Sequence, residues 1–157
     1  MAKSDPVVVV GAGPVGLCLA LALAQQQLEV VLIEAMTDAN FLDQVPRAGS
    51  NHPTTLEFFD RIGLYQKLES RGLIAPKFQY WDRQNNALIA EFDHALLKDD
   101  TRFPYVLQCE RIKIIEEALK MAKAHPLIEV RMATEFLGFH QYEDVLQRLN
   151  IFAARAC

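Results

Sequence analysis

The sequence predicts an α/β fold in which a parallel sheet is built from a strand, a helix and a second strand. Three observations predict it. A run of valines, Val7–Val10, has the composition of a central parallel strand covered on both faces. A glycine-rich turn, residues 11–16, separates this run from an apolar stretch with helical spacing that extends to about residue 27. A second apolar run, residues 29–34, completes a βαβ unit with an expected right-handed crossover.

Composition and charge narrow the class of protein. The chain has 157 residues, a mass of 17.7 kDa and 51% hydrophobic residues, which suffices for one domain with a real core. With 16 basic and 20 acidic residues, its net charge of −4 offers no basic excess for a nucleic acid or an anionic membrane. The charge-free stretch 7–24 is interrupted by glycines and Pro14, unlike a signal peptide or membrane span. Three scattered cysteines and four histidines lack metal-ligand spacing, so we expect a cytoplasmic protein without a metal.

After the βαβ unit the chain is predicted to form a loop and then helical segments. Residues 35–50 are polar and irregular, and loops of this length are often functional. A helix is expected to begin at Pro53, to end near Gly63 as its C-terminal cap, and to be followed by a shorter helical turn up to residue 72. The apolar side of the first of these helices contains Leu56, Phe59 and Ile62.

A β-hairpin is predicted in the middle of the chain. Residues 77–81 and 87–92 flank the polar, Asn-containing stretch 82–86, which is typical of a hairpin connection. Because this hairpin breaks the alternation of strands and helices, we expect an inserted or substrate-side segment over about 77–102. The pattern then predicts a strand at 103–108, a helix at 112–125 that Pro126 ends, and strands at 127–131 and 134–142.

The glycine-rich turn carries the clearest chemistry, because it has the spacing GxGxxG between a predicted strand and a predicted helix. Gly11 permits the tight turn, Gly13 lets a diphosphate approach the backbone, and Gly16 allows close packing of helix and strand. Pro14 and Val15 complete the motif in the first helical turn, where free N–H groups and the helix dipole favour phosphate. The unit is therefore predicted to be a Rossmann-like dinucleotide-binding fold, with all five residues contacting the cofactor.

Glu34 completes this pattern at the end of the second predicted strand. A carboxylate there can accept hydrogen bonds from ribose hydroxyls, and it disfavours a 2′-phosphate. FAD and NAD both present an ADP moiety to such a unit, so the pattern alone leaves the choice between them open. A glycine turn without a ligand, with a solvated acid at the strand end, is the alternative interpretation.

Several motifs together resemble those of the FAD-dependent aromatic hydroxylases, the group of phenol and hydroxybenzoate hydroxylases. The start, VVVVGAGPVGL followed by VVLIE, is similar to the beginning of those enzymes. The stretch PRA at 46–48, HPTTLE at 52–57 and RIGL at 61–64 resembles a second family segment. A third resemblance is YVLQ at 105–108, before a helix that contains arginine. Together these motifs cover about residues 5–142.

The resemblance implies a cofactor, a reaction and two further site residues. It implies FAD as the cofactor, NAD(P)H as co-substrate, and hydroxylation of a small aromatic, phenolic substrate with O₂. It implies that Gly11, Gly13, Gly16 and Glu34 hold the ADP half of FAD. Arg47 is implied to lie near the diphosphate or flavin, and Gln108 near the ribityl or phosphate region. No catalytic residue is assigned.

The sequence also departs from the family, since it lacks the Asp-Gly and Gly-Asp dipeptides of the family's later motifs. We therefore expect residues 1–157 to be the N-terminal part of an FAD-binding domain, an incomplete fold that is inactive by itself. The tail 145–157 does not show the expected pattern of a returning strand. It is interpreted as a truncated or altered reading frame, or alternatively as a short amphipathic helix.

Two other functions remain open from the sequence. One is a different FAD-dependent oxidoreductase that shares the N-terminal unit. The other is a non-catalytic nucleotide-binding remnant, which could self-associate through exposed sheet edges. Whether the chain is an enzyme by itself is left open.

Overall fold

A computed structural model describes residues 5–38, 41, 49–142 and 145–153. It divides the chain into two compact units, each described below by itself: the first unit comprises Met1–Val45 and Ile115–Cys157, and the second unit comprises Pro46–Ile114. The helices and strands are, in chain order, β1 (Val7–Val10), α1 (Pro14–Gln25), β2 (Val30–Ile33), β3 (Ser50–Asn51), α2 (Pro53–Arg61), α3 (Tyr65–Leu68), β4 (Leu73–Ala75), β5 (Lys77–Asp82), β6 (Ala87–Asp93), β7 (Val106–Gln108), α4 (Arg111–Ala124), β8 (Ile128–Arg131), β9 (Thr134–Tyr142) and β10 (Val145–Ala153).

The first unit contains the predicted βαβ arrangement. Strands β1, β2 and β8 form a parallel sheet in that order, with Leu32 of β2 between Val9 of β1 and Val130 of β8. All four residues of β2 are buried, as expected for a parallel strand with a neighbour on each side. The helix α1 buries Leu17 and Leu21 among the core residues. The α/β prediction is confirmed for this unit.

Strand β1 differs from its predicted central position. Among the described strands only β2 pairs with β1, so its other edge is open. Val7 and Val10 are consequently 37% and 53% exposed. A run of valines specifies an extended strand with two apolar faces, but the number of neighbours depends on which other segments reach it.

The tail of the first unit also differs from prediction. Residues of β10 pair antiparallel with β9, so neither a helix nor a non-strand tail forms over 145–153. The register shifts twice, between Leu146 and Arg148 and between Asn150 and Ile151. Each shift interrupts the regular pairing of the two strands, which explains why the sequence shows no strict alternation. Residues 154–157 lie outside the described residues.

The second unit begins with a small antiparallel sheet in the order β3-β7-β4. The helices α2 and α3 lie in the predicted places, and Gly63 ends the first of them with a φ of 74°. A 3₁₀ turn, Glu69–Arg71, continues to the predicted end of the helical region. The strands β3 and β4 are too short to have shown a period in the sequence. The buried residues of this unit include Leu56, Phe59, Leu64, Leu68 and Leu107.

The predicted hairpin is confirmed as β5 and β6, which pair antiparallel from Lys77 opposite Asp93 to Asp82 opposite Ala87. Asp82 accepts hydrogen bonds from the Gln84 backbone and the Asn85 side chain, which close the turn. Most side chains of both strands are exposed. Among the residues that the structure describes, none of the helices combines the length and hydropathy that a bilayer span requires.

Candidate functional site

The glycine turn between β1 and α1 adopts a conformation that requires its first glycine. Gly11 has a φ of 93°, in the region that side chains disfavour, and its N–H donates to the carbonyl of Ile33 at 2.8 Å. This bond ties the turn to the end of β2. The turn is therefore held in place by the parallel sheet as well as by its own sequence.

Gly16 and Gly13 are required for different reasons. A Cβ built on Gly16 would lie 1.9 Å from the Gly11 carbonyl oxygen, so only glycine lets α1 approach the turn this closely. A Cβ on Gly13 would meet nothing within 4 Å. Gly13 therefore leaves open space beside its backbone, into which a ligand can come as close as the main chain allows. This geometry accounts for the packing role of Gly16, whereas the approach of a cofactor to Gly13 stays a prediction.

The start of α1 presents hydrogen-bond donors to that open space. Gly13 is the N-cap with extended backbone and no side-chain cap, and Pro14 is the first helical residue. The first backbone bond of the helix runs from Leu17 N–H to Gly13 carbonyl at 3.0 Å, so within the described residues Val15 and Gly16 N–H have no acceptor. Val15 is 82% exposed. Free N–H groups at the positive end of a helix favour a phosphate anion.

Glu34 connects the end of β2 to the glycine turn. Its Oε2 accepts a hydrogen bond from the Ala12 backbone N–H at 2.8 Å, and its Oε1 accepts one from Met36 N–H at 3.0 Å. Ala12 is fully buried, so this carboxylate supplies the acceptor that its N–H needs. The remaining lone pairs of the two oxygens can accept from ribose hydroxyls. The structure brings Glu34 and the glycine turn together, and the contact of Glu34 with ribose stays a prediction.

An open groove adjoins this turn. It has a volume of about 460 Å³ and follows the free edge of β1 into the glycine turn. Its lining residues are Val7, Val8, Val9, Val10, Gly11, Gly13, Val15, Gly16 and Leu19. The groove is apolar along the strand and offers backbone N–H groups at the turn. The residues present therefore fit the diphosphate and ribose of a dinucleotide, with an apolar wall beside them.

The other two predicted site residues belong to the second unit by sequence. Gln108 is the last residue of β7 and is exposed, and its Oε1 accepts a hydrogen bond from Ser50 Oγ at 2.9 Å. Arg47 lies outside the described residues. Gly49, two residues further along, accepts a hydrogen bond from Cys109 N–H at 2.9 Å, so β7 fixes the start of β3. The cofactor roles of Arg47 and Gln108 stay predictions.

Sequence reasoning missed two residues, Ala12 and Ser50. Ala12 donates to Glu34 through its backbone, and its signal is a small, fully buried residue inside the motif. Ser50 holds the Gln108 side chain. No signal could have found Ser50 in the sequence, because its pairing with Gln108 depends on the register of β3 against β7.

The two thiols that the structure describes, Cys18 and Cys109, give no sign of nucleophilic chemistry. Burial raises the pKa of Cys18 to about 11, and burial also raises the pKa of Cys109 above its ordinary value. Both thiols therefore stay protonated near neutral pH and behave as small apolar residues. Within the described residues, no group of His, Cys, Asp and Glu side chains has the arrangement of a metal site.

Comparison with known proteins gives one family and several relatives. Residues 4–148 match the family model described as FAD binding domain. Over 147 residues the chain is 36% identical to para-nitrophenol 4-monooxygenase from Pseudomonas sp. (strain WBC-3), covering 94% of this chain and 34% of that protein. It is 31% identical over 134 residues to 6-hydroxy-3-succinoylpyridine 3-monooxygenase from Pseudomonas putida, covering 85% of this chain and 33% of that protein.

A solved structure shows the same fold. The crystal structure of p-nitrophenol 4-monooxygenase from Pseudomonas putida DLL-E4 superposes with a TM-score of 0.81 at 32% identity, over 93% of this chain and 36% of that one. The chain thus spans about a third of the length of these relatives. Its residues correspond to one part of proteins that carry further segments.

Proposed function

Because the chain belongs to the FAD binding domain family, we propose that it is the cofactor-holding part of a flavin-dependent monooxygenase. The proposed reaction is hydroxylation of a small aromatic, phenolic substrate with NAD(P)H and O₂. The names of the similar proteins support it, since two of them are monooxygenases of a nitrophenol and of a hydroxylated pyridine. FAD, when bound, supplies the redox chemistry, while the protein supplies binding and orientation. A cytoplasmic location is part of the proposal.

One observation carries the proposal: the glycine turn, the helix start and Glu34 form a single hydrogen-bonded unit. Gly13 leaves the backbone open, and the N–H groups of Val15 and Gly16 donate to a diphosphate there. Glu34 holds the turn through Ala12 and accepts from ribose. These residues bind and orient the ADP half of the cofactor, and they do not take part in bond making.

Arg47 and Gln108 are proposed to bind the rest of the cofactor. An arginine side chain is always charged and can pair with a diphosphate through two N–H groups at once. Gln108 is exposed at the end of β7 and offers amide hydrogen bonds to the ribityl or phosphate oxygens.

Residues 77–102, which contain β5 and β6, are proposed to lie on the substrate side. Their exposed aromatic side chains suit contact with an aromatic compound.

A second candidate function is a non-catalytic nucleotide-binding unit that self-associates. It is favoured by the open edge of β1, where Val7 and Val10 are exposed and unpaired backbone groups invite another strand. Concentration-dependent sedimentation of the purified chain would support it. A different FAD-dependent oxidoreductase is the third candidate, and a product assay with phenolic compounds separates it from the first.

The experiment that tests FAD binding is a titration of the purified chain, followed by flavin absorbance and fluorescence. We expect saturable binding of FAD by the unchanged chain. Gly13→Ala should weaken binding by at least about tenfold, roughly 1.4 kcal/mol, because the added methyl group occupies the space next to the backbone. Ile89→Ala in the exposed part of β6 is the control and should bind FAD unchanged. Binding of NAD without FAD would contradict the proposal.

A further inference from the structure

Ser50 and Gln108 face each other across the β3 and β7 strands of the second unit. They are direct partners in the antiparallel register, and Ser50 Oγ donates a hydrogen bond to Gln108 Oε1 at 2.9 Å. Side chains of direct partners lie on the same side of a sheet, so this bond needs no distortion of either strand. The Ser50 hydroxyl is therefore hydrogen-bonded to the oxygen end of the Gln108 carboxamide.

The backbone around this pair is held on both sides. Strand β7 lies between β3 and β4, with Gln108 opposite Ser50 on one side and Leu73 on the other. Cys109 N–H donates to Gly49 carbonyl at 2.9 Å. A Cβ on Gly49 would lie 2.4 Å from the Cys109 carbonyl oxygen, so the close approach of the two strands requires glycine. The Cα positions of Ser50 and Gln108 are thus fixed before either side chain meets a ligand.

A carboxamide has an acceptor end and a donor end, and contact at one end decides which way the other points. With Oε1 accepting from Ser50, the two N–H donors of Gln108 Nε2 are at the other end of the carboxamide. A donor fixed in this way binds an oxygen atom of a ligand better than a freely rotating amide, because less side-chain entropy is lost.

We propose that Ser50 is a positioning residue for the cofactor: it fixes the Gln108 amide so that Nε2 donates to an oxygen of the chain that links adenosine to the flavin in FAD. This inference rests on the proposed function, in which Gln108 contacts FAD. It adds a residue to the cofactor site, because the Ser50 hydroxyl restricts the Gln108 carboxamide.

The test is FAD titration of a set of variants of the chain. Ser50→Ala should raise the dissociation constant roughly 2- to 10-fold, the usual effect of one hydrogen bond. Ser50→Thr keeps the hydroxyl and should bind FAD about as tightly as the unchanged chain does. Gln108→Glu keeps the acceptor for Ser50 but replaces the donor, so it should bind FAD at least as weakly as Ser50→Ala.

A double variant distinguishes positioning from an independent effect. In a Gln108→Met background the amide is gone, so adding Ser50→Ala should cause no further loss of FAD affinity. Additive losses, or no loss from Ser50→Ala in a chain that binds FAD, would overturn the inference and leave the proposed function standing. Thermal unfolding of each variant shows whether the second unit is still folded.

A measurement without ligand separates the inference from the proposed function. ¹⁵N relaxation of the Gln108 side-chain amide should show a more restricted group in the unchanged chain than in Ser50→Ala. Equal mobility in both chains would overturn the positioning role. Absence of FAD binding by the unchanged chain would instead overturn the proposed function, and with it the ligand assigned to Nε2.

Discussion

Strands β2 and β6 both contain leucine and isoleucine, but these residues are buried to very different extents. Ile33 of β2 is 1% exposed, whereas Ile89 of β6 is 69% exposed. Strand β2 has a parallel neighbour on each side, and the helix α1 contacts it. Strand β6 pairs with β5 alone among the described strands. The same residue type therefore contributes hydrophobic stability in one strand and presents apolar surface to solvent in the other.

The exposed hairpin is held by local contacts in place of a core. Phe78 and Phe92 each pack edge-on against Tyr80, with ring centroids 5.0 and 6.2 Å apart. Lys77 and Glu91 form an ion pair at 2.7 Å across the strands. Contacts of this kind are individually weak and lie in water. The comparison shows that β-hairpin formation and burial are separate consequences of an apolar sequence.

The largest expected effect comes from truncating an isoleucine in each strand. Ile33→Ala should lower the free energy of unfolding by about 2–5 kcal/mol, because it leaves a cavity in the packed core. Ile89→Ala should change it by no more than about 1 kcal/mol, the full range of strand propensity. Urea denaturation followed by circular dichroism measures both. Equal losses would show that β6 is covered in solution.

A smaller effect is expected from a methyl group added to the glycine turn. Gly16→Ala should destabilise the first unit by about 1–3 kcal/mol, since its Cβ collides with the Gly11 carbonyl and the strand-helix packing must shift. Gly13→Ala, in the same turn with open space around it, is the matched control and should unfold at the urea concentration of the unchanged chain. If both variants unfold at the same urea concentration, the close approach of α1 to the turn does not explain why glycine is needed at position 16.

Removing Glu34 from the first unit and Glu91 from the hairpin compares a hydrogen bond to a buried backbone N–H with an exposed ion pair. Glu34→Ala should cost about 1–3 kcal/mol, because the buried Ala12 N–H loses its acceptor. Glu91→Ala breaks an ion pair between solvent-exposed side chains and should leave the free energy of unfolding nearly unchanged. Thermal unfolding at low salt measures the difference. A larger loss from Glu91→Ala would mean that ion pairs, not backbone satisfaction, stabilise this chain.

The smallest effect concerns the hairpin turn and pH. Hydrogen bonds from the Gln84 backbone, and then from the Asn85 side chain, hold the Asp82 pKa below its usual value of 3.8. The folded pKa is lower than the unfolded pKa, so the stabilisation is present above the unfolded value and is lost as pH falls through the folded value. The Gln84 amide resonance should report this change in an acid titration. Asp82→Asn should abolish it, and a Gln84 shift that persists in this variant would contradict the assignment.

Much of the fold could be predicted from the sequence where a pattern repeats over many residues. The βαβ unit, the helices at Pro53 and 112–125, and the hairpin were predicted because apolar periodicity and turn residues are local signals. The short strands β3 and β4 were not, since two or three residues show no period. The strand β10 was missed because its two bulges interrupt the alternation.

The candidate site likewise has one part that the sequence predicts and another that only the structure shows. The sequence determined the glycine turn and its continuation to Glu34, because a turn with positive φ and a close helix contact allow only glycine at fixed spacing. FAD was indicated by the resemblance of several motifs together, since the turn alone fits NAD as well. Only the tertiary structure decided that Glu34 accepts from Ala12, that Ser50 holds Gln108, and that β2 alone among the described strands pairs with β1. These features involve residues far apart in sequence. The register and the order of the strands bring those residues together, and no local sequence pattern encodes either one.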